Sequence, residues 1–219
     1  MIVVENKKRK LENIKKQYPN ADILDITSTA EKRYAQLLSP FYPHGSIPVP
    51  FTPNMTAASV EGIWQGLKVF EHEDISIETL QNRTMKNLKR TVRKYGAPKG
   101  HRKGVYGTEL LDYFSARMYI YIPSYKWVLE NIPEVKQVIN KIKERAKDHD
   151  IVLLDYNTNI DFRDISSPIS HAGLVKAYID GTFPIEGNMY QPLTAEEIEA
   201  KKSKKKKQNK NQKKQLELF

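Results

Sequence analysis

The sequence predicts an α+β fold: a helix-rich single domain with a small sheet, followed by a disordered basic C-terminal tail. The chain has 219 residues, 39% of them apolar, which suffices for one domain with a buried core. Amphipathic patterns of helical period recur along the domain, whereas strand-like apolar runs are short and few. The lysine-rich end of the chain cannot bury enough apolar area to fold. We therefore predict a globular domain over residues 1–190, a Lys-rich linker over 191–214 and a separate terminal peptide over 215–219.

The chain opens with a predicted β-α-β unit. Residues 2–4 and 21–26 are short apolar runs, which predict strands. Residues 7–18 lie between them and place Leu11, Ile14 and Tyr18 on one face of a helix. No glycine-rich turn joins the first strand to the helix, which excludes the dinucleotide-binding fingerprint.

Residues 39–54 are predicted to form a loop, because they contain five prolines and one glycine. A loop of this length in a compact domain is more often functional than idle.

Helices and a strand are predicted after this loop. Thr56 or Ser59 is expected to cap a helix, and Pro133 is expected in the first turn of another. Residues 151–156 form the clearest buried strand. The predicted helices cover residues 56–70, 84–94, 108–130 with an interruption near Pro123, 134–147 and 170–179.

The charge of the chain is concentrated at its C-terminus. The chain carries a formal +10, of which nine lysines and one glutamate between Lys201 and Phe219 contribute +8, so residues 1–200 carry +2. Such a block binds the DNA phosphate backbone through counterion release rather than by reading bases. The sequence has no cysteine and no apolar run approaching the ~20 residues of a membrane span. We expect a cytoplasmic protein with no membrane partner and no thiolate metal site.

The last five residues follow this lysine block. The peptide Gln215-Leu216-Glu217-Leu218-Phe219 resembles the one by which bacterial and phage replication and repair proteins dock on the DNA sliding clamp. The resemblance implies that Gln215 enters a small pocket of the clamp, while Leu216, Leu218 and Phe219 fill an apolar one. It also implies a setting in a bacterial or phage-infected cell. The alternative is a tail that only increases solubility, which gives no reason for the apolar ending.

Within the domain, Glu61, Gln65 and Lys68 form the clearest candidate site. Their spacing of i, i+4 and i+7 places them on one face of the predicted helix, close to its apolar stripe. A glutamate near a lysine in a partly dry cleft is suited to acid–base chemistry. The alternative is a solvated helix face with an exposed glutamate.

The same segment resembles a known family. The pattern SVE-x3-Q-x2-K-x-F at residues 59–70, preceded by the loop SPFYP, is similar to that of the NADAR superfamily. Its members are N-glycosidases that act on ribosides, including ADP-ribosylated guanine in DNA and phosphoribosylated riboflavin precursors. The resemblance implies a NADAR-like fold in which Glu61 is the glutamate at the ribosyl site and Lys68 is the lysine of the motif. Gly62 stands where the family often has histidine, and the late Trp-Gly signature is absent.

Cleavage of an N-glycosidic bond passes through an oxocarbenium-like centre. The site therefore needs a carboxylate near the sugar, and cations or aromatic rings for the phosphate and the base. We expect Glu61, Lys68 and Asp155 to be catalytic. Substrate-binding roles are expected for Phe41, Tyr42, His44, Trp64, Gln65, Arg90, Arg93, Arg102, Asn159 and Asp161. No cofactor and no resident metal are expected.

The expected function is a DNA- or nucleotide-directed N-glycosidase recruited to the sliding clamp, and two alternatives stay open. One is a non-enzymatic replication accessory protein that binds DNA with its lysines and the clamp with its terminal peptide. It predicts that Glu61 and Lys68 are exposed or paired only with each other, away from any concave site. The other is a nuclease in which Asp155, Asp161 or Glu61 works with Lys68 around Mg²⁺.

Overall fold

The computed structural model describes residues 1–185 and 189–204. Within these ranges the chain is an α+β domain with many helices and small sheets, which confirms the predicted fold class. The predicted clamp-binding peptide, Gln215 to Phe219, lies outside the described residues. Residues 195–204, which belong to the predicted linker, are helical. None of the helices in the described ranges is long and apolar enough to cross a membrane.

The described part of the chain has short strands and mostly short helices. The strands are β1 (Ile2–Asn6), β2 (Asp22–Asp25), β3 (Ile47–Pro48), β4 (Thr56–Ala57), β5 (Lys68–Phe70), β6 (Pro98–Arg102), β7 (Leu110–Leu111) and β8 (Ile151–Asp155). The helices are α1 (Leu11–Gln17), α2 (Arg33–Gln36), α3 (Val60–Gly66), α4 (Ile77–Gln81), α5 (Val92–Tyr95), α6 (Tyr113–Ala116), α7 (Ile122–Asn131), α8 (Pro133–Asp148) and α9 (His171–Ile179). A π-helical turn, Arg117–Tyr121, joins α6 to α7.

Strand β8 lies at the centre of a three-stranded parallel sheet with the order β1-β8-β2. Ile151 at its start pairs with Ile2 of β1 on one side and with Asp22 of β2 on the other. All five residues of β8 are buried, and four of them in a row are apolar, which suits a strand covered on both faces. The predicted β-α-β unit is therefore present, but β8 is inserted between its two strands.

The helix predicted over residues 56–70 is shorter than expected, because α3 ends at Gly66 and Lys68 lies on β5. Ser59 caps the start of α3, since its side chain accepts a hydrogen bond from the N–H of Gly62. At the other end, a Cβ on Gly66 would lie 2.7 Å from Leu80 Cγ, so the absence of a side chain allows α4 to approach closely. Strand β5 joins an antiparallel sheet with the order β5-β6-β7. Glu61 and Lys68 consequently do not share a helical face.

Two further predicted helices also differ from the structure. Of residues 84–94 only α5 is helical, because Met85 and Asn87 adopt left-handed φ angles of 59° and 58° that interrupt a right-handed helix. Of residues 108–130, the first part forms β7, and the π-turn precedes Pro123. There the N–H of Ile122 donates to the carbonyl of Arg117, five residues earlier. Pro123 has no N–H to continue the regular helical ladder, which favours this local rearrangement.

Candidate active site

A cavity of about 600 Å³ lies at the carboxyl-terminal end of the parallel sheet. Thr27 and Ser28 reach it after β2, and Asp155, Tyr156 and Asn157 reach it at the end of β8. Helix α3 and the π-turn close the other side. Ligand sites in parallel sheets commonly occupy this position, because the loops that leave the strands meet there.

Six of the residues predicted to form the site line this cavity together. They are Phe41, Glu61, Trp64, Gln65, Lys68 and Asp155. The cavity thus contains all three residues expected to be catalytic, although they come from different elements. Glu61 comes from α3, Lys68 from β5 and Asp155 from β8.

Glu61 is held in the cavity wall with only 7% of its surface exposed. Its backbone N–H donates to the carbonyl of Pro40 at 2.8 Å, which fixes the start of α3 against the proline-rich loop. Its side-chain Oε1 accepts a hydrogen bond of 2.9 Å from Gln65 Nε2. Burial raises the pKa of Glu61, while this hydrogen bond and the charges of Lys89 and Lys68 oppose the shift. The result is a carboxyl group with a raised pKa beside an open cavity.

Gln65 is oriented toward Glu61 by Arg90. The backbone N–H of Arg90 donates to Gln65 Oε1 at 3.2 Å, so the amide nitrogen of Gln65 must face the glutamate. The guanidinium of Arg90 binds the carbonyls of Gln65, Lys68 and Asp74 at 3.2, 2.6 and 2.5 Å. Arg90 therefore supports the site from behind and does not line the cavity.

Two lysines, Lys68 and Lys89, line the cavity. Lys68 Nζ lies 5.7 Å from the ring centre of Trp64, and Lys89 Nζ lies 5.7 Å from that of Phe41. Burial lowers the pKa of Lys68, Glu61 opposes this shift and Arg90 adds to it. In the described part of the chain neither ammonium forms an ion pair, so both are available to a ligand.

Aromatic rings form a large part of the cavity wall. Trp64 makes edge contacts with Tyr113 and Tyr121, with ring centres 5.8 and 5.6 Å apart. Behind the cavity it stacks on His101 at 3.8 Å. Burial, with the charge of Lys68, lowers the pKa of His101 to about 3, so this ring is neutral at physiological pH. A wall of this kind offers flat apolar surface to a planar ligand such as a nucleobase.

Asp155 and His171 form a buried ion pair at the base of the cavity. His171 Nδ1 lies 2.9 Å from Asp155 Oδ2, and Nε2 lies 3.0 Å from the carbonyl of Ile26. Both ring nitrogens face acceptors, an arrangement that favours the doubly protonated imidazolium form of the ring. Asp155 also accepts hydrogen bonds from Ser170 Oγ and from the N–H of Tyr156. Both of its oxygens are therefore occupied, which suits a positioning role rather than that of a second catalytic carboxylate.

The pKa values of this pair shift in opposite directions. Burial alone would lower the pKa of His171, but the charge and hydrogen bond of Asp155 raise it above the usual range. Burial alone would raise the pKa of Asp155, but His171 and the hydrogen bond from Ser170 hold it below the usual range. Ser170 is also the cap of α9, since its side chain accepts a hydrogen bond from the N–H of Gly173.

The raised pKa of His171 predicts a loss of stability at alkaline pH. The unfolded state releases the proton near pH 6.5, so the full contribution of the pair is present below about pH 6.5 and is lost as the pH rises through the folded pKa. Urea unfolding from about pH 5.5 to 9 should show this decline in wild type and not in His171→Gln. The exposed His149 is the control, and His149→Gln should keep the wild-type profile. An identical profile for His171→Gln and wild type would exclude the imidazolium assignment.

Arg117 is a site residue that sequence reasoning did not identify. It is 1% exposed, and its guanidinium binds the carbonyls of Phe162, Asp164 and Ser167 at 3.0, 2.8 and 2.8 Å. It thereby anchors the loop between β8 and α9 and lines the cavity from the π-turn. The one sequence signal that could have found it is a single charged residue in the otherwise uncharged, aromatic-rich segment 113–121.

The other predicted site residues lie away from the cavity. Tyr42 packs on His44, whose Nε2 lies 3.0 Å from the carbonyl of Leu37, and burial lowers the pKa of this histidine. Arg93 is exposed on α5. Arg102 pairs with Asp74 at 2.6 Å.

Asn159 and Asp161 serve the loop that Arg117 anchors. Asn159 Nδ2 donates to the carbonyls of Asp164 and Ser167, and Asp161 accepts from Lys201 Nζ at 3.0 Å. Lys201 also binds Asp164, so the 195–204 helical segment is attached to this loop. Over residues 1–185 and 189–204 no group of three or more His, Cys, Asp or Glu side chains is placed to hold a metal ion.

A second, larger groove of about 710 Å³ lies between β2 and α8. Its exposed lining is mainly apolar, and none of the residues predicted for the site contributes to it. The smaller cavity is therefore the candidate active site, because it alone of these two combines a buried carboxyl group, free cations and aromatic rings.

A family model described as "Family of unknown function (DUF6939)" matches residues 6–175, which is more than half of the chain. The matched residues include every cavity-lining side chain discussed above. No curated protein matches the chain.

Proposed function

Since the chain belongs to DUF6939, a family of unknown function, we propose its activity from the cavity: it is an N-glycosidase that hydrolyses the bond between the ribose and the base of a nucleotide. The observation that carries the proposal is Glu61, a buried carboxyl group with a raised pKa that faces an aromatic cavity with two free ammonium groups. The NADAR resemblance of residues 59–70 supports the same chemistry. A non-enzymatic accessory protein would not need this arrangement.

In the proposed reaction, water adds to C1′ of the ribose as the C1′–N bond breaks. The Glu61 carboxylate stabilises the oxocarbenium-like centre and accepts a proton from the water. The Lys68 ammonium gives a proton to the departing nitrogen of the base, and solvent returns a proton from Glu61 to Lys68. Burial raises the pKa of Glu61 and lowers that of Lys68, which makes the first a stronger base and the second a stronger acid than in water.

The remaining residues of the cavity hold the substrate in this reaction. Phe41 and Trp64 stack on the base, and Lys89 binds a phosphate at the mouth of the cavity. Gln65 holds the Glu61 carboxylate in place through its hydrogen bond. The ion pair of Asp155 and His171 holds the end of β8 against the start of α9 at the base of the cavity.

The direct test is a search for base release. Full-length protein is incubated with nucleosides, nucleoside monophosphates and ADP-ribosylated guanine in DNA, and free base and reducing sugar are quantified by chromatography. The proposal predicts equal amounts of both products, with oxygen from labelled water at C1′. Cleavage of phosphodiester bonds that requires added Mg²⁺, without base release, would instead support the nuclease alternative.

We further propose that the terminal peptide recruits the enzyme to the sliding clamp. Changing both Leu218 and Phe219 to alanine should weaken binding to purified clamp at least about thirtyfold, because buried apolar anchors dominate such interfaces. Changing Lys213 and Lys214 to alanine is the matched control, which should leave clamp affinity nearly intact. Isothermal titration calorimetry measures both. Equal affinity for wild type and the Leu218, Phe219 variant would refute the recruitment proposal and leave the cavity proposal untouched.

A further inference from the structure

A dense run of cations borders one side of the cavity. Between Glu78 and Glu109 the sequence has nine lysines and arginines and no acidic residue. Three of the nine are engaged: Arg90 with carbonyls, Arg102 with Asp74 and Lys103 with Glu109. The other six are exposed and form no salt bridge within the part of the chain that the structure describes: Arg83, Lys86, Lys89, Arg93, Lys94 and Lys99.

The folded domain, and not a free tail, holds Lys89 at the cavity. Met85 and Lys89 line the cavity, so the segment between them, which carries Lys86, follows its rim, and Arg83 lies two residues before this segment. Leu88 is 1% exposed, and Arg90 is fixed by its carbonyl partners, which anchors the end of this rim. The left-handed φ angles of Met85 and Asn87 make the rim turn tightly between these points.

Acidic residues neutralise only the far part of the basic run. Glu71 donates its backbone N–H to the carbonyl of Ala97, which brings residues 71–78 beside α5. Lys94 experiences the charges of Glu73 and Glu78. Among the described residues no carboxylate forms a salt bridge with Arg83, Lys86 or Lys89; the charge of Lys89 acts on the buried Glu61, and the exposed rim keeps a net positive charge.

Aromatic side chains complete the opposite side of the mouth and the interior. Tyr156 and Tyr113 line the cavity and are 43% and 38% exposed, whereas the lining residues Phe41 and Trp64 are half-buried. Exposed cations beside exposed and half-buried aromatic rings are the arrangement that binds single-stranded nucleic acid, with phosphates on the cations and bases on the rings. A base in a duplex cannot reach a recessed cavity without leaving the stack.

We propose that the mouth of the cavity binds the backbone of a single-stranded nucleic acid, with Arg83, Lys86 and Lys89 on successive phosphates and one unstacked base inside. This inference rests on the proposed function, because the enclosed nucleotide of the strand would be the substrate. It extends that function by assigning to the folded domain, in addition to the lysine-rich tail, a contact with nucleic acid.

The test compares two full-length double variants with equal loss of charge. Arg83 and Lys86 become glutamine in the rim variant, which leaves every cavity-lining residue in place. Lys15 and Lys16, both exposed on α1, become glutamine in the control variant. Fluorescence anisotropy measures binding of a labelled single strand of about 12 nucleotides over a range of salt concentrations. The lysine-rich tail is present in all proteins and contributes the same background.

The rim variant should bind the strand at least about tenfold more weakly than the control variant at low salt, with a log–log salt slope shallower by about 2. Both variants should bind a nucleoside monophosphate as wild type does, because their cavities are intact. Equal strand affinity of the two variants, or equally tight binding of duplex and single strand, would overturn the inference. This experiment measures binding alone, so its outcome does not depend on the proposed activity. Equal strand affinities would overturn the strand-binding inference and leave base release from free nucleotides untouched. Absence of base release would likewise leave the strand-binding result untouched.

Discussion

Glu61→Gln is expected to reduce base release by about 10³–10⁴-fold, the range for loss of a general base that also stabilises transition-state charge. Glutamine has nearly the same shape, and its amide oxygen can still accept the hydrogen bond from Gln65 Nε2. The substitution therefore removes the charge and leaves the cavity in place. Substrate affinity should change much less than turnover, because the aromatic wall and Lys89 are unaltered.

The same substitution should not weaken the fold. Burial raises the pKa of Glu61, so the ionised side chain costs stability above the unfolded pKa of a glutamate, and a neutral amide removes that cost. We expect equal or higher urea midpoints for Glu61→Gln at pH 7. Glu12→Gln on the exposed face of α1 is the control and should retain full activity. Substantial base release by a folded Glu61→Gln protein would remove Glu61 from the mechanism.

Arg117→Met is expected to cost about 3–5 kcal/mol of unfolding free energy, the largest stability effect that the structure predicts. The guanidinium binds three carbonyls of the loop that follows β8. When the side chain is apolar, the carbonyl of Phe162 loses this partner, and those of Asp164 and Ser167 keep only the amide of Asn159. Arg117→Lys should be intermediate, because one ammonium cannot reproduce the planar fork of donors. Urea unfolding curves give the values, and the exposed Arg33→Met serves as the control. A loss below about 1 kcal/mol for Arg117→Met would show that the loop does not depend on this anchor.

Local patterns in the sequence were sufficient to find part of the site. The i, i+4 spacing placed Glu61 and Gln65 on one face of α3, and the structure has them hydrogen-bonded there. The strand at 151–156 was visible as a continuous apolar run, and it delivers Asp155 to the cavity. Lys68 also reaches the cavity, but through a turn after Gly66 that the helical pattern did not indicate.

Long-range contacts explain what the sequence could not predict. His171 Nε2 contacts the carbonyl of Ile26, 145 residues away, and Arg117 holds carbonyls 45 to 50 residues away. No periodicity in the sequence indicates such distant partners, so neither His171 nor Arg117 was predicted to belong to the site. Arg90 was predicted to bind substrate for the same reason. Its carbonyl partners, those of Gln65, Lys68 and Asp74, are 16 to 25 residues distant, and no local pattern indicates them.

The central position of β8 has a consequence for the order in which the molecule assembles. Strands β1 and β2 are complete within the first 25 residues, yet in the described part of the chain each pairs only with a strand that begins at Ile151. During synthesis, the backbone groups of β1 and β2 therefore lack their hydrogen-bond partners in β8 until most of the chain has been made. Folding is therefore governed by contacts of high sequence separation, which slows it and prolongs exposure of apolar strands to aggregation. Chains that end before Ile151 cannot form the sheet at all.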